Sequence, residues 1–599
     1  DTPNFIANRI GVYGMMVTLD EAVKKNLSIE DVDALTGTLI GRPKSATFRT
    51  ADVVGLDTMA FVAKTAYDKC VDDSEREIFK IPEYLNQMLD KKWLGQKTKQ
   101  GFYKKIDKGV IHSIDLKTLE YTPMNKKRYG AIALAKERTL LTDKLKAIVD
   151  SKDLAGEFVW ATMSRSLLYS INNLLSIADN VVDVDNALKW GFGWDFGPFE
   201  ILDAIGVEYF ISRLKKEGRS IPSWLDKMFA SGSSSIYSFL DGEKVYYCPR
   251  SEKYVIHKFH SKEMTFNLLK KNNNTISKHW SASLVDLNDG VAGLELHSVL
   301  KPELNPIDGS LTQMLAIALQ WVDDNNYKGL VISSDGNNFC AGANLNLVVE
   351  AAEQKNYAAI EKLTNSLQQV FQAMKYCNFP VVAAPHGLTL GGGMEIIGAC
   401  DKRVAAAESY IGLVEVGVGL IPGAGGNLRM LSNLSKKIKT GMTGTLPLVQ
   451  KAFETIGFAK VGTSAKQSQA YGYLTMDDSI IVNRSHVLYE AKNQVLEMSD
   501  GYIAPKQETF KLPGSAGRLA IEMAAKGMVK SGKISEHDAF IGKKLAYVLT
   551  GGDKGGPFSP VDEQYLLDIE REAFVSLCGE QKTIDRIKFM LAKGKPLRN

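Results

Sequence analysis

Two glutamates stand exactly 20 positions apart in one glycine-rich stretch, Glu395 in HGLTLGGGMEI (386–396) and Glu415 in LVEVGVGLIPGAGG (413–426). Two carboxyl groups near one reacting bond can divide proton removal and proton delivery between them. The glycines add a second capacity. Three in a row, Gly391 to Gly393, at the start of a helix leave backbone N–H groups unshielded, and such groups bind an oxyanion. A third segment, NNFCAGANL (337–345), is a small-residue turn that follows a strand. Each part has a plain alternative. Glu395 could be a solvated helix-start carboxylate favoured by the dipole, and Glu415 a surface loop charge. AGAN, GGGME, the second glutamate and IPGAGG follow one another along one stretch.

The surrounding pattern supplies elements to hold these parts. SLVDL and VAGLEL, joined by Asn288-Asp289-Gly290, predict a β-hairpin. An amphipathic helix is expected over about 308–325, with Leu311, Met314, Leu315, Ala318, Trp321 and Val322 on one face. Strands are expected at 329–334 and 380–384, and helices over 355–377 and from 391 to 399. Alternating strands and helices imply an α/β domain with a largely parallel sheet. The final hundred residues read as helical, to near Lys595.

The N-terminal part differs. Residues 37–57 and 189–207 form a weak internal repeat that matches Phe48 with Phe199, Asp52 with Asp203 and Gly55 with Gly206. Each copy follows an apolar helical stretch, 5–27 and 155–178. The expected division is a helical module at 1–105, a linker at 106–149, a second helical module at 150–235, a connector at 236–282, the α/β domain at 283–499 and a helical region at 500–599. GFGWDFG (191–197) mimics a dinucleotide loop but follows no strand and falls inside the repeat.

With 73 basic and 69 acidic residues the net charge is only +4, which gives no nucleic-acid footprint. No stretch reaches the roughly 20 apolar residues of a membrane span. The six cysteines are scattered without a CxxC pair, as expected of a reduced cytoplasmic protein. His386 borders the glycine run without a His or Cys partner at ligand spacing, so a non-metal role is expected. SKKIKTG (435–441) reads as a solvated face rather than a CoA phosphate contact. The chain begins Asp-Thr-Pro, which suggests that an upstream segment is lost or cleaved.

The three glycine-rich segments resemble the crotonase superfamily, which handles acyl-CoA thioesters. The resemblance implies an oxyanion hole from the N–H groups of Ala343 and Gly392. It also implies a water-activating role for Glu395 and delivery of the C2 proton by Glu415. Asn344 stands where an Asp is usual, and Leu413-Val414 replaces a Gln-Pro pair. DTPNFIANRIG (1–11) and KWLGQKTKQGFYKK (92–105) resemble the C-terminal region of L-3-hydroxyacyl-CoA dehydrogenases, which implies a substrate-contacting Asn8. Ala161 occupies that place in the second copy, which leaves it structural.

Taken whole, the chain resembles the bacterial bifunctional hydroxyacyl-CoA dehydrogenase/enoyl-CoA hydratases of fatty-acid β-oxidation, in dehydrogenase-first order and without the NAD-binding domain. The implied fold is two all-α dehydrogenase-type modules followed by a ClpP/crotonase-like α/β domain with a helical C-terminal region. The implied reaction is hydration of trans-2-enoyl-CoA, for which no cofactor is needed. NAD is expected only with the absent upstream domain, and dehydrogenase activity is not expected from this chain alone. A thiolase partner is implied by the family. The rivals are an enoyl-CoA isomerase, which keeps only the second glutamate, and a non-catalytic scaffold for a thiolase.

Overall fold

A computed structural model describes every residue except 1, 108, 126, 241, 259 and 437–443. It divides into two compact units, 1–258 and 259–599.

In the first unit each copy of the repeat begins with a long helix, Phe5–Lys24 and Leu154–Ile177, the second capped by Asp153, which accepts from Gly156 N–H. The repeat extends beyond the motif. Asp52 accepts from Phe102 and Tyr103 N–H at 2.8 and 2.9 Å, and Asp203 accepts from Ile236 and Tyr237 N–H at 2.6 and 2.8 Å. Upstream, Asp33 accepts from the Tyr103 hydroxyl and Asp185 from the Tyr237 hydroxyl. Gly55 and Gly206 share one backbone conformation, φ 102° and 98°, which a side chain would strain. Burial pushes the Asp52 and Asp203 carboxyls up to about 6.

These aspartates tie in two parts that the sequence reading left as connectors. The expected linker 106–149 completes a three-stranded antiparallel sheet (Tyr103–Asp107, Val110–Ile114, Tyr121–Pro123) and adds the helices Gly130–Lys136 and Leu141–Asp150. The expected connector 236–282 holds a matching sheet (Tyr237–Leu240, Glu243–Cys248, Lys253–Ile256) and the Phe266–Lys271 helix. The modules are therefore helical with a small sheet at each end rather than wholly α. Short strands carrying outward lysines, such as YKKID, have little apolar alternation to betray them.

Asp52→Ala removes a buried acceptor from two backbone donors and should cost about 2–4 kcal/mol. Five of the seven tryptophans (93, 160, 190, 194, 224) lie in this unit, so urea unfolding followed by tryptophan fluorescence reads it directly. An unshifted midpoint would refute the assignment.

The second unit is built on a seven-stranded sheet in the order Ser479–Ile481, Lys402–Ala406, Val381–Ala383, Gly329–Ser333, Val291–Leu296, Ala282–Asp286, Thr275–Lys278. The first five strands are mutually parallel, and the last two pair antiparallel. The hairpin forms where expected, with Asp286 opposite Ala292 and Asn288, Asp289 and Gly290 all at positive φ. Alternate residues face opposite sides: Leu330 and Ile332 enter the main core, while Val331 packs with Val487, Ala491 and Val495 of the Val487–Ser499 helix. The Gly309–Asp324 helix, capped by Asp308, covers the other face. The four helices of the last hundred residues (Gly514–Lys530, Glu536–Leu549, Glu563–Cys578, Gln581–Lys593) belong to this unit and share its core.

Candidate active site

Two short parallel strands, Gly387–Leu390 and Ser409–Gly412, lie side by side outside the main sheet. The first runs into the buried helix Gly392–Ala399, which carries Glu395. The second runs into a single turn, Glu415–Val418. Gly391 N–H donates to Gly412 C=O at 2.8 Å, so the two carboxylate-bearing segments leave the strand pair together. A Cβ on Gly391 would meet Glu415 Oε1 at 3.3 Å. The 20-residue spacing is thus one helix, one sheet strand and a return strand.

The 337–345 segment is bound to the same place. Cys340 bridges Thr389, and Ala343 bridges Ile307 in a parallel register. In that register Gly342 C=O accepts from Ile307 and Asn344 N–H donates to it, so the amide of Ala343 points the opposite way. It points toward Gly392, whose would-be Cβ lies 3.6 Å from Ala343 N. Gly392 begins its helix, where an amide has no intrahelical acceptor. The two amides, with no hydrogen-bond acceptor among the described residues, lie next to each other, as an oxyanion hole requires.

Both glutamates are buried, which removes the solvated-carboxylate readings. Glu395 is 5% exposed, and its Oε1 accepts from Ala424 and Gly426 N–H at 2.7 and 2.9 Å. Burial nevertheless pushes its carboxyl up to about 7. Glu415 as a whole residue is half-buried, but both carboxylate oxygens are buried without a hydrogen-bond partner among the described residues. Burial, and then the charge of Glu395, raises its pKa well above the ordinary value. The raised pKa favours the protonated, proton-donating form of Glu415, while Glu395 near 7 can both take and release a proton.

A cavity of about 550 Å³ joins the parts, bordered by Ala343, Gly392, Glu395 and Glu415 and by apolar side chains that include Phe574 and Met590. The last two come from the C-terminal helices, so the region expected as a separate domain closes the site. A third buried carboxylate, Glu570, is 1% exposed and accepts from Gly425 and Asn427 N–H behind the turn that holds Glu395. Sequence reasoning missed it. The signal was present: Glu570 sits at helical spacing between Leu566, Leu567, Ala573 and Leu577, all buried.

His386 is buried, and its Nε2 lies 2.9 Å from Gly336 C=O, holding a loop. No cluster of three or more His, Cys, Asp or Glu suited to a metal occurs among the described residues. Asn8 belongs to the first unit, exposed near the start of the Phe5–Lys24 helix. Residues 437–441 of the Lys-rich segment lie outside the described residues. No helix among the described residues is long and apolar enough to cross a membrane.

Known proteins share this arrangement of parts. Residues 286–452 match the enoyl-CoA hydratase/isomerase family, and residues 5–105 match the 3-hydroxyacyl-CoA dehydrogenase C-terminal domain. A Bacillus subtilis protein named as a probable 3-hydroxyacyl-CoA dehydrogenase is 45% identical over 601 residues, spanning 100% of this chain and 74% of that protein. The chain belongs to this 3-hydroxyacyl-CoA dehydrogenase family. A Rickettsia felis protein named as a fatty acid oxidation complex trifunctional enzyme is 25% identical over 98% of this chain and 73% of its own length. Among solved structures, an enoyl-CoA hydratase from Bacillus halodurans is 15% identical, covers 51% of this chain and 99% of its own, and has a TM-score of 0.36. Within the dehydrogenase family, then, this chain joins a dehydrogenase C-terminal domain to a crotonase-type domain, and the site described above lies in the second.

Proposed function

We propose that the second unit hydrates trans-2-enoyl-CoA to 3-hydroxyacyl-CoA in fatty-acid β-oxidation. The observation that carries this reading is the pair of buried carboxyls in one cavity with two converging amides. Glu395 takes a proton from water as the water oxygen bonds to C3. The C2=C3 electrons move toward the thioester, whose oxygen gains charge against Ala343 and Gly392 N–H; one such donor contributes typically about 10²–10³ in rate. Glu415 protonates C2. The substrate gains one water, and no electrons are transferred to an acceptor.

An isomerase would need one carboxyl to shuttle a proton and would leave Glu395 without a task. Incubation with 2-enoyl-CoA and, separately, 3-enoyl-CoA tests this. Loss of the conjugated thioester absorbance with formation of 3-hydroxyacyl-CoA is expected. Interconversion of the two enoyl isomers without hydration would overturn the proposal, and inertness toward both would favour a scaffold for a thiolase.

For the first unit we propose only that Asn8 contacts substrate in a dehydrogenase step. An amide side chain cannot accept a proton at neutral pH. NAD is implied by the family, but the glycine-rich 191–197 segment does not fit it. That segment closes the Val181–Phe192 helix and caps Pro198–Ile205, with no strand leading in.

A further inference from the structure

The turn at residues 424–427 has carboxylates on both sides. Ala424 and Gly426 N–H donate to Glu395, while Gly425 and Asn427 N–H donate to Glu570 at 2.6 and 3.1 Å. Successive amides thus alternate between a carboxyl that borders the cavity and one behind it. The Asn427 side chain adds a third donor to Glu570 at 2.8 Å. Gln368, 1% exposed, links the layers: its Nε2 donates to Gly423 and Leu567 carbonyls at 2.9 Å and approaches Glu570 at 3.5 Å.

Every hydrogen-bond partner of Glu570 among the described residues is a donor, so its oxygens act as the acceptors that hold the turn. No cation is ion-paired with it among the described residues. Arg571, the next residue, is taken up by Gln368 and Asp568, and Arg429 of the adjoining helix by Gln372 and Glu563. The charged groups that face Glu570 are Glu395 and, beyond it, Glu415. Burial and the Glu395 charge push the Glu570 carboxyl up to about 8.

We propose that Glu570 is a positioning residue for hydration: it clamps the 424–427 turn so that two amides hold Glu395. This rests on the reading of Glu395 as the base.

Glu570→Gln tests it in the full chain. A glutamine sets its amide N–H against the Gly425 and Asn427 donors and loosens the turn that orients Glu395, so kcat should fall at least about 10-fold while KM stays within about twofold. A folded variant with parental kcat overturns the proposal. Thermal melts give a second readout. A carboxyl whose folded pKa is raised stabilises fully below its unfolded value near 4.5 and loses that contribution as pH rises through the folded value. The parent's Tm should therefore fall between about pH 5 and 8, and that fall should be smaller by about 2 °C or more in Glu570→Gln. Parallel curves count against the clamp. If Glu570→Gln does not fold, Glu570→Asp keeps the charge but withdraws it by one methylene. Its kcat should drop at least about 10-fold with KM within about twofold, and parental kcat would overturn the proposal. A parent that does not hydrate 2-enoyl-CoA removes the underlying reading instead, and the melts then decide alone whether Glu570 is the pH-linked clamp.

Discussion

Glu395→Gln and Glu415→Gln should each slow hydration of 2-enoyl-CoA by roughly 10²–10⁴ and leave the protein folded. The two losses have different origins. A glutamine at 395 can still present Oε1 to Ala424 and Gly426 N–H, so the turn keeps its anchor, but the amide cannot take the proton of water. At 415 the lost function is a carboxylic acid O–H. Burial and the neighbouring charge favour the protonated form of that group, and an amide of the same shape cannot protonate carbon. Because a neutral amide there has no charge to bury, Glu415→Gln should melt at or above the parental temperature, most clearly at alkaline pH. The variants also separate the rival reaction. An isomerase would lose 3-enoyl to 2-enoyl conversion with Glu415→Gln and keep it with Glu395→Gln. Near-parental hydration by both variants would mean that the pair is wrongly assigned.

A valine at Gly392 should lower turnover by about 10² or more without unfolding the domain. Gly392 has an ordinary helical φ, so the backbone accepts a side chain. The added Cβ would meet only the tip of Ile307, at 2.6 Å, where a rotamer change can make room. That Cβ also stands 3.6 Å from Ala343 N, so the valine crowds the amide proposed for the oxyanion. Gly393 is a poor choice for the same test. A Cβ there would lie 2.3 Å from Cys340 C=O, a backbone conflict that would confuse misfolding with loss of function. Steady-state hydration by Gly392→Val, with circular dichroism as a fold control, checks the assignment, and undiminished activity would move the oxyanion hole elsewhere.

The amino-acid order alone determined those features whose signal fits within a turn or two of chain. The hairpin at Asn288-Asp289-Gly290, the Gly309–Asp324 and Tyr357–Lys375 helices and the helix beginning at Gly392 follow from turn chemistry and apolar period. The repeat was legible because Asp52 and Asp203 do the same local work of receiving a following pair of amides. The two glutamates were legible because glycine runs mark the places where backbone must be exposed to a ligand. Tertiary structure decided what those residues became. YKKID and its neighbours became sheets whose first residues are held by Asp52 and Asp203, contacts made from distant chain. The Glu415 pKa rises because its oxygens are buried beside Glu395, without partners among the described residues. Glu570, 145 residues from Gly425, joined the site only when the C-terminal helices packed against the 424–427 turn. Periodicity can tell that a side chain faces inward, but burial, and with it the energy of a charge, depends on what arrives from distant chain to exclude water.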